Sequence, residues 1–108
     1  MEERTERFAR DMRTFVKQLP RNTASVEDGT QLIRSSGSIG ANYIEAQEAL
    51  SRKDFAMRIK ISRKEAKESK YWLNLLEVPE ALTHEHKRLL GEVSELLKIF
   101  SAIVQKVS

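Results

Sequence analysis

Apolar residues recur three and four positions apart along most of the chain, the spacing that gathers them on one face of an α-helix. The pattern is interrupted near Pro20, before Ser51 and around Pro79. It predicts four helices, at about residues 3–19, 23–50, 52–77 and 83–107. The connections between these segments are short, so consecutive helices are expected to run antiparallel.

Polar residues that commonly cap a helix start precede three of the predicted helices. Asn22 or Thr23 can cap the second helix, and Ser51 followed by Asp54 can form a capping box at the third. Thr83 is expected to cap the fourth helix. With the apolar periodicity, these signals predict an all-α fold, an antiparallel up-down-up-down four-helix bundle that forms a single domain.

The second predicted helix contains a stretch of small residues, RSSGSIGANYIE at positions 34–45. Ser36, Gly37 and Gly40 lack the bulk that keeps two helix backbones at the usual separation of about 8–10 Å. Each glycine inside a helix costs roughly 1 kcal/mol relative to alanine, so packing must compensate for it. The stretch therefore predicts a close helix contact, either inside one bundle or between subunits.

The third predicted helix carries three different faces. A narrow seam of apolar and small residues, from Phe55 to Leu76, suits the bundle core. A second face is basic and has no acidic residue, although Glu–Lys pairs four positions apart would stabilise the helix. Arg52 begins this face, and six residues, here called the basic stripe, complete it: Lys53, Lys60, Arg63, Lys64, Lys67 and Lys70.

The third face of this helix is apolar again and lies away from the basic stripe. It contains Met57, Ile61, Glu65, Glu68, Trp72 and Leu75. A bundle helix needs only one apolar seam. This face is therefore either the flank of a broad core or a surface covered by another copy of the chain, and we favour the second interpretation.

The basic stripe also has two interpretations. It can be an ordinary solvated helix face, or it can bind the phosphate backbone of RNA or DNA. The net charge of +3 agrees with a modest attraction to an acidic partner. No zinc-finger pattern, glycine-rich phosphate loop or RNA-recognition aromatic motif occurs, so recognition of a particular base sequence has no visible means.

Composition narrows the class of protein further. At 108 residues the chain is one domain, and the absence of cysteine excludes disulfides and thiolate metal sites. No apolar run approaches the roughly 18 residues of a membrane span. A cytoplasmic protein without membrane contact is therefore expected.

Catalysis and metal or cofactor binding have little support in the sequence. The only histidines, His84 and His86, are expected to form a solvated helix start rather than part of a di-iron site. Polar side chains of the second and third helices are expected to form a network that fixes the register between helices or subunits. This predicted network contains Arg34, Asn42, Glu45, Arg58, Glu65 and Glu68. No cofactor and no metal are expected, and the protein is predicted not to be an enzyme.

Two segments carry a family resemblance. They are QLIRSSGSIGANYIEAQEALSRKDF, residues 31–55, and KISRKEAKESKYWLNLL, residues 60–76. Over about residues 8–105, the chain resembles the small four-helix-bundle proteins encoded within intervening sequences of bacterial 23S ribosomal RNA genes.

The resemblance implies an assembly and a distant relationship. It implies a homopentameric ring of antiparallel bundles, and kinship with the accessory protein of diversity-generating retroelements, which binds nucleic acid and partners a reverse transcriptase. Asn42, Glu45, Glu68 and Trp72 match positions of the family motif. The resemblance assigns none of them a reaction.

Together, residues and resemblance predict a bacterial cytoplasmic bundle that assembles into a ring of about five chains. It binds RNA or DNA through the basic stripe without strict sequence specificity. The alternative is a structural or adaptor protein that docks another protein and meets nucleic acid only incidentally. Binding of generic RNA or DNA at two salt concentrations distinguishes them, because phosphate contacts weaken sharply as salt rises.

Overall fold

A computed structural model describes all 108 residues. Its four α-helices are α1 (Glu2–Lys17), α2 (Thr23–Gln47), α3 (Arg52–Leu75) and α4 (Thr83–Val107). A 3₁₀ turn, Glu80–Leu82, leads directly into α4. No strand is present, so the predicted all-α class with four helices is confirmed. None of the helices has both the length and the apolar character needed to cross a membrane.

Side-chain contacts show that neighbouring helices run antiparallel. Ser35 of α2 contacts Ser69 near the end of α3, whereas Asn42, later in α2, contacts Arg58, near the start of α3. α3 also packs on α4, and α1 packs on α2 and, more lightly, on α4. α3 therefore lies diagonally opposite α1 in the bundle.

The core is built from side chains of all four helices. Its largest fully buried members include Phe8, Met12 and Phe15 of α1 and Phe100 of α4. Fully burying one such side chain contributes roughly 1.5–3 kcal/mol. The predicted seam of α3 is buried at Ile59, Ser62, Ala66, Ser69 and Leu73. Because this seam occupies the inner side of α3, the basic stripe is left on the outer side.

Two glycines allow α1 to approach α2 closely. A Cβ atom on Gly40 would lie 2.8 Å from the hydroxyl oxygen of Thr5, and one on Gly29 would lie 2.8 Å from a methyl group of Val16. Thr5 is buried and β-branched, and its hydroxyl donates to backbone carbonyls in the first turn of α1, so it has little freedom to move. Gly40 therefore serves a contact inside one bundle, the first of its two predicted uses.

Two of the three predicted helix caps are present. Asn22 Oδ1 and Ser51 Oγ each accept a hydrogen bond from the backbone N–H three residues later, at 2.9 and 3.0 Å. The prediction for Thr83 is wrong, because Thr83 is already the first helical residue and no side chain caps α4. The preceding 3₁₀ turn supplies the start of this helix instead.

α1 and α3 end two residues earlier than the periodicity predicted, and α2 ends three residues earlier. Leu50 extends the apolar pattern of α2, but its side chain is 97% exposed and takes no part in the core. At the end of α3, Leu76 has an extended backbone, with φ −62° and ψ 138°. It leads towards Val78, whose position before a proline disfavours helical backbone.

Candidate nucleic-acid interface

The basic stripe follows the outer side of α3. Lys53, Lys60, Lys64 and Lys67 are exposed, and the other two members are half-buried. With a rise of 1.5 Å per residue, the stripe extends over about 25 Å from its first to its last residue. Lys60, Lys64 and Lys67 follow one another at spacings of four and three, which places positive charges on successive turns of one helix face, and Lys53 lies two turns before Lys60.

No member of the basic stripe forms an ion pair. Every ion pair of the structure instead uses Arg4, Arg10, Arg34, Arg88 or Lys98 as its cation. The six charges of the stripe are therefore free to meet the phosphates of a ligand without first losing a protein partner.

Arg52, which begins the basic face, has a structural contact. Its guanidinium donates to the backbone carbonyls of Lys106 and Val107, at 3.1 and 3.3 Å. A cation at the carbonyl end of a helix is favourable, because that end carries partial negative charge. Arg52 therefore joins the start of α3 to the end of α4, unlike the stripe that follows it.

A shallow depression of about 520 Å³ lies along the stripe. It is lined by Lys60, Arg63, Lys64, Lys67, Glu68, Tyr71 and Trp72. The prediction that the third face of α3 lies away from the basic stripe therefore does not hold for Glu68 and Trp72, which lie beside the stripe. The rings of Tyr71 and Trp72 meet edge to face, with centroids 5.1 Å apart. The sequence prediction missed Tyr71, although its spacing of four and seven from Lys67 and Lys64 places it on the same helix face.

A first polar cluster joins α2 to α3 beside this depression. Arg34 donates to Glu68 at 2.5 Å and lies 3.4 Å from Glu65 Oε1. Burial lowers the pKa of Arg34, but the two carboxylates outweigh burial, so this pKa lies above its ordinary value. Glu65 is only 7% exposed, and its buried Oε1 makes no hydrogen bond.

The predicted polar network divides into two separate clusters. Asn42 accepts from Arg58 at 3.2 Å and donates to the carbonyl of Ser38 at 2.9 Å. Asn42 lies eight residues beyond Arg34, about 12 Å along α2, which is too far for direct contact. Glu45 is exposed and makes no side-chain hydrogen bond or ion pair within the chain, so it belongs to neither cluster.

The third face of α3 is only partly covered. Ile61 and Trp72 are half-buried, and Trp72 packs against the core. Met57 and Leu75 remain about half exposed, as does Ile44 on the neighbouring α2. Trp72 therefore belongs to the flank of a broad core, whereas about half of each outer apolar side chain is left open to solvent.

The two histidines differ in environment. His84 is exposed at the start of α4, as expected. His86 is not simply solvated, because its Nε2 lies 2.8 Å from the carbonyl oxygen of Leu73 and its ring stacks on Phe15. No group of three or more carboxylate and imidazole side chains is arranged to hold a metal ion.

Comparisons with known proteins agree with this architecture. The sequence model of a family described as 23S rRNA-intervening sequence protein matches residues 2–102. A solved structure is also similar, that of a protein of unknown function from the S23 ribosomal protein family of Bacteroides thetaiotaomicron. It is 29% identical, with a TM-score of 0.81, and the match covers 96% of this chain and 94% of that chain. No curated protein matches the chain.

Proposed function

We propose that this chain, which belongs to the family of 23S rRNA-intervening sequence proteins, is a non-enzymatic protein that binds RNA or DNA through its basic stripe. The membership confirms the family resemblance of its two motif segments. The observation that carries the proposal is the exposed face of α3, on which six basic side chains have no ion pair. Stability gives no reason for this arrangement, since like charges one turn apart repel each other.

The chemistry of such a face favours contact with phosphates. Lysine and arginine side chains on a nucleic-acid backbone release condensed counterions, and this release drives binding that does not depend on sequence. The stripe is about 25 Å long and straight, so it can follow several consecutive phosphates. The chain offers no element that reads base edges, and binding is therefore proposed to have no strict sequence specificity.

The proposal includes assembly into a ring of about five chains, as the family resemblance implies. The unpartnered apolar residues Met57, Leu75 and Ile44 support it, because a second copy would cover them. Light scattering should give about 62 kDa for five chains of 12.5 kDa, and a stable monomer would contradict the ring.

The same apolar residues favour a second candidate, an adaptor that docks another protein. Met57, Leu75 and Ile44 would then form part of the docking surface. The two candidates differ in what the basic stripe does. An adaptor needs no affinity for generic nucleic acid, whereas the nucleic-acid protein must lose affinity when the stripe is neutralised.

The decisive experiment compares two variants of equal charge. One changes four stripe residues to glutamine: Lys60, Arg63, Lys64 and Lys67. The control changes four exposed basic residues outside α3 that form no ion pair: Arg7, Lys17, Arg21 and Lys87. Each variant removes four positive charges, so both have a formal net charge of −1 instead of +3.

The stripe variant should lose binding to RNA and DNA of every sequence alike. The slope of log affinity against log salt should flatten by up to about three, the value for four phosphate contacts on a single strand. The control variant should keep most of its affinity and the parental slope. An equal loss of affinity in both variants would show that binding depends on net charge alone. If the parent bound neither RNA nor DNA at low salt, the adaptor function would be favoured.

A further inference from the structure

An aromatic ring lies exposed at the end of the basic stripe. Tyr71 is 57% exposed, and its hydroxyl group makes no hydrogen bond within the chain. Its ring is held edge to face by the half-buried ring of Trp72, with an interplanar angle of 76°. Aromatic side chains usually bury most of their area, so a ring fixed in place and open to solvent is available for stacking.

The lysines near this ring are placed to hold phosphates. Lys67 and Lys64 precede Tyr71 by one and two helical turns on the same face, and both line the same depression. One turn is about 5.4 Å, a separation that a single nucleotide can bridge between its phosphate and its base. The carboxylate in the depression, Glu68, is already paired with Arg34, which limits its repulsion of a phosphate.

We propose that Tyr71 and the basic stripe form a binding site for single-stranded nucleic acid, with an unpaired base stacked on Tyr71 and the adjoining phosphates on Lys64 and Lys67. This inference rests on the proposed function and adds the class of ligand. A base inside a duplex is already stacked on its neighbours, so it cannot reach a ring on the surface of α3. Stacking on an aromatic side chain tolerates any base, which agrees with the lack of base-reading groups.

The test uses four probes of equal length, each labelled with a fluorophore. They are a thymidylate oligomer, a uridylate oligomer, an abasic deoxyribose-phosphate chain and a DNA duplex. The parent should bind the two single strands about tenfold more tightly than the abasic chain, within the range expected for stacking of one base. The thymidylate and uridylate oligomers show whether the site prefers single-stranded DNA or single-stranded RNA. If a base stacks on Tyr71, the affinity for both oligomers must exceed the affinity for the abasic chain.

The variant Tyr71→Ala should bind both single strands only as tightly as the abasic chain. Its affinity for the abasic chain and the duplex should not change, because the lysines are intact. Tyr71→Phe should behave as the parent, since the ring remains. Val26→Ala is the matched control for loss of an exposed apolar side chain, because Val26 is 56% exposed and lies on α2.

Trp72 gives a second readout, because it is the only tryptophan of the chain and contacts Tyr71. Its fluorescence should change when a single strand binds, and change much less with the abasic chain. Unchanged affinities in Tyr71→Ala, together with loss of all binding in the stripe variant, would overturn the stacking site and leave the proposed function standing. Failure of the parent to bind any probe at low salt would overturn both.

Discussion

The molecule has two surfaces rich in arginine and lysine that use these charges in opposite ways. On the surface formed by α1 and α4, Arg4 makes two hydrogen bonds to Glu92, at 2.8 and 2.9 Å. On the same surface, Arg88 bridges Asp11 of α1 and Glu85 of α4, at 2.8 and 2.7 Å. On the outer side of α3, none of the basic stripe is paired. We call the α1–α4 set the paired surface.

The difference separates stability from binding. Cations of the paired surface connect two helices and lower the pKa of the carboxylates that they contact: the hydrogen bond from Arg4 lowers that of Glu92, and the hydrogen bond from Arg88 lowers that of Glu85. Cations of the basic stripe form no ion pair and so join no two helices. Changes on the paired surface should therefore affect folding, and changes on the stripe should affect the ligand.

The largest effect is expected where α1 meets α2, at the position where Gly40 faces Thr5, the residue next to Arg4 of the paired surface. Gly40→Leu should lower the free energy of unfolding by about 1–3 kcal/mol, because the added side chain collides with Thr5. Gly40→Ala should also destabilise, although alanine favours helices, since its Cβ would lie 2.8 Å from the Thr5 hydroxyl oxygen.

The control for this change is Gly91 in α4, which is exposed and where an added Cβ would have no neighbouring atom within 4 Å. Gly91→Ala should raise the free energy of unfolding by about 0.5–1 kcal/mol through helix propensity alone. Denaturant unfolding measures both. If Gly40→Ala stabilised as much as Gly91→Ala, the close contact with Thr5 would be wrong.

A smaller loss is expected from the ion pairs of the paired surface. Arg88→Gln should lower the free energy of unfolding by about 0.5–1 kcal/mol, because these pairs are partly exposed. The loss should shrink in high salt, which screens the parental pairs. Lys64→Gln on the stripe is the matched control and should show no loss at any salt concentration.

Acid should weaken the paired surface as well. Glu85 and Glu92 have folded-state pKa values below the ordinary 4.5, so their contribution is present above that pH and is lost as pH falls through the lowered values. The gap in melting temperature between the parent and the double variant Arg4→Gln, Arg88→Gln should therefore narrow below about pH 4.5. A gap that stays constant from pH 7 to pH 3 would contradict this linkage.

Changes to the basic stripe are expected to have the smallest effect on folding. They are also the only changes to a charged surface that are expected to increase stability. Changing Lys60, Arg63, Lys64 and Lys67 to glutamine should leave the melting temperature unchanged or raise it. Relief of repulsion between like charges one turn apart is worth a few tenths of a kcal/mol for each pair. A loss above about 1 kcal/mol would show that these side chains have structural partners, and the comparison of the two surfaces would fail.

The sequence by itself determined the helices, two of their caps and the position of the basic stripe. These features depend on residues within one or two turns of each other, so spacing along the chain is enough to find them. The caps formed by Asn22 and Ser51 each involve a backbone N–H only three residues away. The same local rules failed at Thr83, where a 3₁₀ turn rather than a side-chain cap begins the helix. They also failed at Leu50, an apolar residue that is exposed to solvent.

Only the tertiary structure decided which charges have partners on another helix. Arg4 and Glu92 are 88 positions apart and meet because α1 and α4 lie side by side in opposite directions. The same geometry placed Thr5 against Gly40, left Glu45 outside the polar clusters and turned the Tyr71 ring to solvent. Helix periodicity fixes which face a residue occupies, but the partner on that face depends on the register between helices, which packing of the whole core sets.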